Sequence, residues 1–550
     1  MSKYRLAAGL SFVFSVCARA RRHRHTDCFC TRARGQKLES EMKQLSGLLV
    51  RRGAGIIAAL ALAPALHAQD LTVDSTNGNS PYTVTADATY NYGYIGNTST
   101  GELDQSAFTL SFYDNVYVGY GTGSTGTYNL SGTGNLTANS YLYVGYSGTG
   151  VFNQTGGTNT VSYGLDIGYN KLGQGTYTLS GGTLDCDYAT YGEIIGDSGT
   201  GTIIQNGGAN STLNSFVIGN SIGGSGSYTL NSGTLSASSY SGEYIGESGT
   251  GVFTQNGGTN TAGSGSNEQY GISLGDQTGS SGTYNLNGGT LLTSSVYGYS
   301  GTSTFNFNGG TLKASASDLS TQYPFMTGVT TVNVQSGGAK IDTNGYGITI
   351  AQNLLHDPTS GVTDGGLTKT GAGGLALTGN NTYNGGTFLL QGSLTLTGHN
   401  TNPGGTFLSN VSGYESDLTA QGDGALGTGN VTFLSGTNIH LVLTGGVTNQ
   451  YIAATATLSL HSTGNYINTD NGLSNPLPDS IRALIVNGVY QPAGTYGSSS
   501  TSAEFVVPWM TGDLEFLVVP EPSTWALVLG GVGTLMVFQR GRIRRGLGKH

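Results

Sequence analysis

Charged side chains are scarce, with Asp, Glu, Lys and Arg making up 10% of the 550 residues. Basic residues are nearly missing from the body of the chain. Of the 22 Lys and Arg, 12 lie in residues 1–69 and five follow Phe538, which leaves only Lys171, Lys313, Lys340, Lys369 and Arg482 between. Residues 70–521 set 28 acids against those five bases. So acidic a body repels phosphate backbones and excludes nucleic acid as a partner. Proline numbers 11 and glycine follows no Gly-X-Y triplet, so neither a collagen helix nor a Pro-rich linker fits. Cysteine is confined to Cys17, Cys28, Cys30 and Cys186. If the first three leave with an N-terminal leader, one thiol remains and no internal disulfide can form. Cys28 and Cys30 with His23 and His25 match no zinc spacing, and the sequence implies no metal and no cofactor.

What is abundant is glycine, at 93 residues, and tyrosine, at 32, set among Ser, Thr and Asn. That mixture suits many short strands joined by tight turns and offers little to an amphipathic helix. A chain this long exceeds one ordinary core, so it holds several domains or a solenoid that grows by stacking. An internal repeat decides for the solenoid. A Gly-x-aromatic-x-Leu/Gln segment recurs at Gly126–Leu130, Gly150–Gln154, Gly175–Leu179, Gly201–Gln205, Gly226–Leu230, Gly251–Gln255 and Gly282–Leu286, with a variant around Phe305. The steps between the aromatic or apolar positions are 24, 25, 26, 25, 25, 31 and 21 residues. An aliphatic-Gly pair keeps pace, from Val118-Gly119 and Val144-Gly145 to Leu274-Gly275. Within each unit the period is two: Tyr284 and Leu286 share one strand face, Asn285 takes the other, and Gly288-Gly289 turns the chain.

These features predict an all-β fold, a right-handed parallel β-helix (β-solenoid) with coils of about 25 residues. A lone coil cannot bury its apolar face, whereas stacked coils bury a continuous row and pair every backbone edge. At about 4.8 Å per coil, roughly eighteen coils would extend on the order of 85 Å. Leu and Gln alternate at one position, giving a super-repeat near 50. A β-propeller with kelch-length blades ranks below the solenoid, because the two halves of that longer unit align with each other. The glutamines read as a hydrogen-bonded ladder inside the stack, ahead of a polar ligand row.

The two ends read as addresses. From Met42 the chain has a basic stretch with Arg51-Arg52, an apolar run from Gly53 to Leu66, and a small residue, Ala68, where signal peptidase would cut. Residues 42–68 are thus a signal peptide, and residues 1–41 an extension from a start assigned too early. At the other end, Pro520-Glu521-Pro522 precedes an uncharged run from Trp525 to Phe538, including Leu527, Leu529 and Leu535. Arg540, Arg542, Arg544 and Arg545 follow, and would hold a short C-terminal hydrophobic helix as an inner-membrane anchor. This tripartite tail, residues 519–550, resembles the PEP-CTERM sorting signal. The resemblance implies an exosortase-type transpeptidase acting near Pro520-Glu521-Pro522, and loss of the anchor after a transient stay in the inner membrane.

Residues 366–397, with Gly374, Gly379-Asn-Asn-Thr-Tyr383 and Gly386, resemble the autotransporter-associated β-strand repeat. The resemblance implies a passenger-type β-helix at a bacterial surface, although the chain lacks a translocator barrel at its end. The expected organisation is a solenoid over 69–345, its continuation over 346–429, final coils and a cap over 430–518, and then the tail.

No catalytic constellation stands out. Bases are scattered, and no acid pair recurs at coil spacing in a way that marks one face. In Asp185-Cys186-Asp187 alternation is expected to keep the acids from sharing a substrate. The reading is a non-enzymatic exported structural protein of a Gram-negative surface, associated with extracellular polysaccharide and then released or attached. A glycan-binding adhesin with an outward aromatic row, and a polysaccharide-degrading enzyme with clustered groove carboxylates, are the alternatives.

Overall fold

Alternation with period two, repeated every coil, becomes three sheets that run the length of the stack. A computed structural model describes residues 69–519, apart from 188, 238–241, 264–270, 411–414, 436–437, 447, 449, 462–464 and 470–477. All of them belong to the unit His67–His550. The leader, with Ala68, and the whole tail from Pro520 onward lie outside the described residues.

One coil shows the plan. Val116–Val118 lies in sheet 1, Thr125–Leu130 in sheet 2 and Asn135–Ala138 in sheet 3. The next coil repeats it with Tyr141–Val144, Thr149–Gln154 and Thr158–Val161, each strand parallel to its predecessor and in register. Among the described residues sheet 1 gathers 18 strands and sheet 2 gathers 12. Sheet 3 is an open ladder of parallel pairs from Ala88–Tyr90 to Ala483–Val486, closed off by an antiparallel hairpin to Val489–Tyr490. Asn487 and Gly488 both take positive φ in that hairpin, as a tight two-residue turn requires. A four-stranded sheet of Asp479–Ile481, Phe516–Val518, Gly494–Gly497 and Phe505–Val506 follows at the C-terminal end. The fold is therefore a parallel β-solenoid, and the propeller alternative is excluded.

Glycine is indispensable at one corner. A Cβ on Gly201 would lie 2.3 Å from the amide nitrogen of Gly196 and 2.3 Å from the carbonyl oxygen of Ile167 in the coil below. Gly196, the glycine of the aliphatic-Gly pair, itself has φ +74°. The two repeat markers are thus the two halves of one backbone-on-backbone contact.

The core explains the super-repeat. Facing inward from sheet 2, Tyr128, Phe152 and Tyr177 stack with centroids 4.7 and 4.6 Å apart, and Tyr228, Phe253, Tyr284 and Phe305 continue at 5.0, 4.8 and 5.3 Å. All are fully buried, each worth about 1.5–3 kcal/mol by area. Coils alternate between an apolar interior that carries Tyr and a polar interior that carries Gln. Tyr177 Oη donates to Gln154 Oε1 at 2.5 Å, and Tyr228 and Tyr284 do the same to Gln205 and Gln255 at 2.5 and 2.7 Å. Each glutamine donates in turn to carbonyls, as Gln205 Nε2 does to Gly208 O and Thr234 O at 3.3 and 2.9 Å. The glutamines are internal, as expected, but they bond to tyrosines of the next coil and to backbone rather than to one another. A glutamine ladder would need Gln in every coil. Asparagine does form ladders, on the outside. Asn206, Asn231, Asn256, Asn287 and Asn308 are linked amide to amide at 2.8–3.1 Å.

Beyond sheet 2, which ends at Leu354–His356, asparagines take over. Asn381 Oδ1 accepts from Leu354 N at 3.0 Å, while Asn400 Oδ1 accepts from Asn381 N and Asn381 Nδ2 at 2.8 and 2.9 Å. Side-chain amides thus replace a strand ladder. Lys369, inward on sheet 3 and fully buried, donates to Thr343 Oγ1 and to the carbonyls of Thr370, Gly371 and Gln391 at 2.7–3.2 Å.

Candidate functional site

The outward positions of sheet 1 carry a tyrosine field. Tyr94, Tyr117 and Tyr143 occupy the same register position in three successive strands. Their rings are parallel within 10°, with centroids 5.2 Å apart. A second column, Tyr120, Tyr146 and Tyr169, sits just past the aliphatic-Gly pairs and repeats at 5.2 and 5.0 Å. Between columns the planes cross at 67–85°. Parallel rings about 5 Å apart are offset stacks, and two offset stacks crossed near a right angle form a herringbone. Tyr92, Tyr141, Tyr163 and Tyr191 extend it sideways.

The middle column is nearly covered, Tyr117 at 9% and Tyr143 at 8% exposure, whereas Tyr163 and Tyr191 stand out at 38% and 50%. Burial, and after it crowding by neighbouring hydroxyls, raises the phenols of Tyr117 and Tyr141 to about 12, so these two remain neutral donors.

The field ends on a carboxylate. Asp166 takes the register position after Tyr143, with Ile194 beyond it. It is 3% exposed, and its Oδ1 is buried without a hydrogen-bond partner. Burial, together with the nearby charge of Asp197, pushes the carboxyl well above its ordinary range.

Two expectations about acids need correction. The second tyrosine column continues beyond Tyr169 at the same position, just past each aliphatic-Gly pair, as Asp197, Asn220, Glu247 and Asp276. Acids therefore do recur at coil spacing on one face, a pattern hidden because tyrosines hold the same position in earlier coils. Asn220 Nδ2 donates to Asp197 Oδ1 at 2.5 Å. In Asp185-Cys186-Asp187 the thiol is buried and the two acids share the outer face, because they are two residues apart. Asp187 N donates to Asp185 Oδ1 at 3.1 Å.

A second set of polar groups lies inside, in the coils that carry Gln205 and Gln255. Glu193 and Glu243 point inward from sheet 1 and are fully buried. Asn210 Nδ2 donates to Glu193 Oε2 at 3.1 Å and Asn260 Nδ2 to Glu243 Oε2 at 3.2 Å. The same amides donate to Tyr228 Oη and Tyr284 Oη at 3.3 Å. Desolvation lifts Glu193 to about 7 and Glu243 to about 8. Each pair leaves one buried oxygen on either partner without a donor, which a proton on the carboxyl helps to satisfy. These carboxyls and asparagines are another part of the 50-residue period.

Among the described residues no group of three or more His, Cys, Asp and Glu is arranged to hold a metal ion. No described helix is long and apolar enough to cross a membrane. The processing residues Ala68, Pro520, Glu521 and Pro522, and the anchor residues Trp525 to Arg545, lie outside the described residues. The tyrosine field was missed in the sequence, although its signal is there: Tyr117-Val-Gly-Tyr120 and Tyr143-Val-Gly-Tyr146 flank a marker already in hand.

The class that fold and surface define is a parallel β-solenoid with an outward aromatic field. No protein-family model matches the chain, and no curated protein and no solved structure matches it either.

Proposed function

We propose that this chain is a non-enzymatic structural protein, exported through a cleaved leader, held transiently in the inner membrane by its C-terminal tail, and sorted by an exosortase-type transpeptidase to the surface of a Gram-negative bacterium. There it associates with extracellular polysaccharide. One observation supports the reading above others: the strands of the described residues run from Leu71 to Val518, and the proposed cuts at Ala68 and Pro520-Glu521-Pro522 fall outside them. Both cuts therefore leave the solenoid intact. The inward-facing, enclosed carboxyls support a structural role over catalysis.

Mass spectrometry of protein from cells and medium tests this. The expected mature chain starts at Gln69 and lacks Arg540 to Arg545; an extracellular chain with the Arg-rich end intact contradicts it. The glycan-binding adhesin is a second reading, favoured by the tyrosine field.

A further inference from the structure

We propose that the outer tyrosine field of sheet 1, from Tyr92 to Tyr191 with Asp166 at its edge, binds an extended neutral polysaccharide laid along the solenoid axis. This deepens the polysaccharide association proposed above and rests on that reading.

The first support is spacing. The rings of each column repeat at 5.0–5.2 Å, a pitch imposed by parallel strand pairing. Extended β-linked hexose chains advance by a similar step per sugar, so ring edges and hydroxyls meet successive sugars in phase. The second support is Asp166. A carboxyl at 3% exposure whose Oδ1 has no partner leaves a strong hydrogen-bonding group unused at the edge of the tyrosine field. A sugar hydroxyl would satisfy it. Charge then selects the class of glycan. Along the axis the second column turns into Asp197, Glu247 and Asp276, and Lys171 is the one base between residues 70 and 312. Uronic-acid polymers and nucleic acids meet repulsion there, while neutral chains do not.

The test uses the full chain and co-sedimentation with an insoluble neutral β-1,4-glucan, beside an acidic and a cationic polysaccharide. Wild type is expected to sediment with the neutral glucan. Tyr146→Ala with Tyr169→Ala should weaken that binding at least about tenfold, by the loss of two ring edges and two hydroxyls, and Asp166→Ala several-fold. Thr178→Ala on sheet 2 should change nothing. If the alanine pair disturbs folding, Tyr146→Phe with Tyr169→Phe decides, since it retains the rings and removes two hydroxyls; a several-fold loss is expected. The proposal is overturned if wild type ignores the neutral glucan, or if its retention is indifferent to the tyrosines. It is equally overturned if only the charged polymers bind, or if the tyrosine substitutions change self-association and not glucan binding. C-terminal processing is read independently, so a chain that is cut and released yet ignores glucan sinks this inference alone.

Discussion

Between Thr100 and Val334 each coil spends six or four residues on a sheet 2 strand, and from Gly101 to Gly282 the corner before it is closed by interlocked glycines. Between Leu367 and Leu443 the described residues of the coils pair on sheets 1 and 3 alone, and Asn381 and Asn400 stand where a sheet 2 ladder would be. Both stretches must satisfy every buried amide of a parallel stack. The first does so at sheet 2 with a backbone ladder, and from Gly101 to Gly282 the corner before that ladder needs bare glycine. The second uses side-chain amides in place of that ladder, which reach across a shorter turn. That difference also separates the interiors: tyrosine, glutamine and glutamate alternate in the first, while the second is lined mainly by Leu, Ile and Val.

The sharpest way to break the comparison is Gly201→Ala. Its Cβ would meet backbone on two sides, and the coil cannot part without losing ladder bonds, so a loss of about 3 kcal/mol or more is expected. Gly374→Ala in the second stretch, where the nearest atom is the Ser393 hydroxyl, should cost far less. Thermal or urea unfolding of both variants checks this; equal losses would refute the distinction.

Protonation gives the next largest effect. Glu193 and Glu243 hold their protons to about 7 and about 8 when folded, against 4.5 ordinarily. The folded state binds more protons than the unfolded state across that window. Stability therefore falls as pH rises from about 4.5 to about 8, by a few kcal/mol in all. Glu193→Gln with Glu243→Gln should leave stability at pH 5 unchanged, raise it at pH 8.5, and flatten part of the slope. Asp166 and Asp479, both lifted by burial, Asp479 to about 8, retain the rest. A slope as steep as that of wild type would remove the buried carboxyls from the account.

Asn381→Ala probes the second stretch. It strips a buried amide that serves Leu354 N, Gly379 O and Asn400, and should cost about 2–3 kcal/mol. Hydrogen exchange should show faster exchange at Leu354 while sheet 2 above Val334 is unaffected.

The mildest test is a double-mutant cycle in the first stretch. Gln205→Leu alone leaves the Tyr228 hydroxyl without its acceptor and should cost about 1–3 kcal/mol, whereas adding Tyr228→Phe should recover much of that. An additive cycle would mean that the Tyr–Gln bond is not what links the coils.

How much of this was legible depends on what repeats. The coil length and inner face could be read because Gly201, Tyr228 and Ile218 answer to one corner and one core, which every coil must build again. The alternating interior showed only as Leu230 against Gln205, since the partners that explain it, Asn210 and Glu193, lie on other sheets of the same coil. The loss of sheet 2 left no simple mark, because Asn381 replaces a strand through its side chain and reads as an ordinary turn residue. The tyrosine field was hidden for a similar reason. Tyr146 and Asp197 hold one structural position, and no single residue type marks it.

Register between adjacent coils carries everything else, and cross-linking reads it directly. Thr178 and Ile204 are partners on neighbouring sheet 2 strands, with Thr229 one coil further on. In a background with Cys17, Cys28 and Cys30 replaced by Ser, Thr178→Cys with Ile204→Cys should close a disulfide under mild oxidation. Thr178→Cys with Thr229→Cys, about 10 Å apart, should not. Cross-linking of the second pair and not the first would contradict the stacked coil.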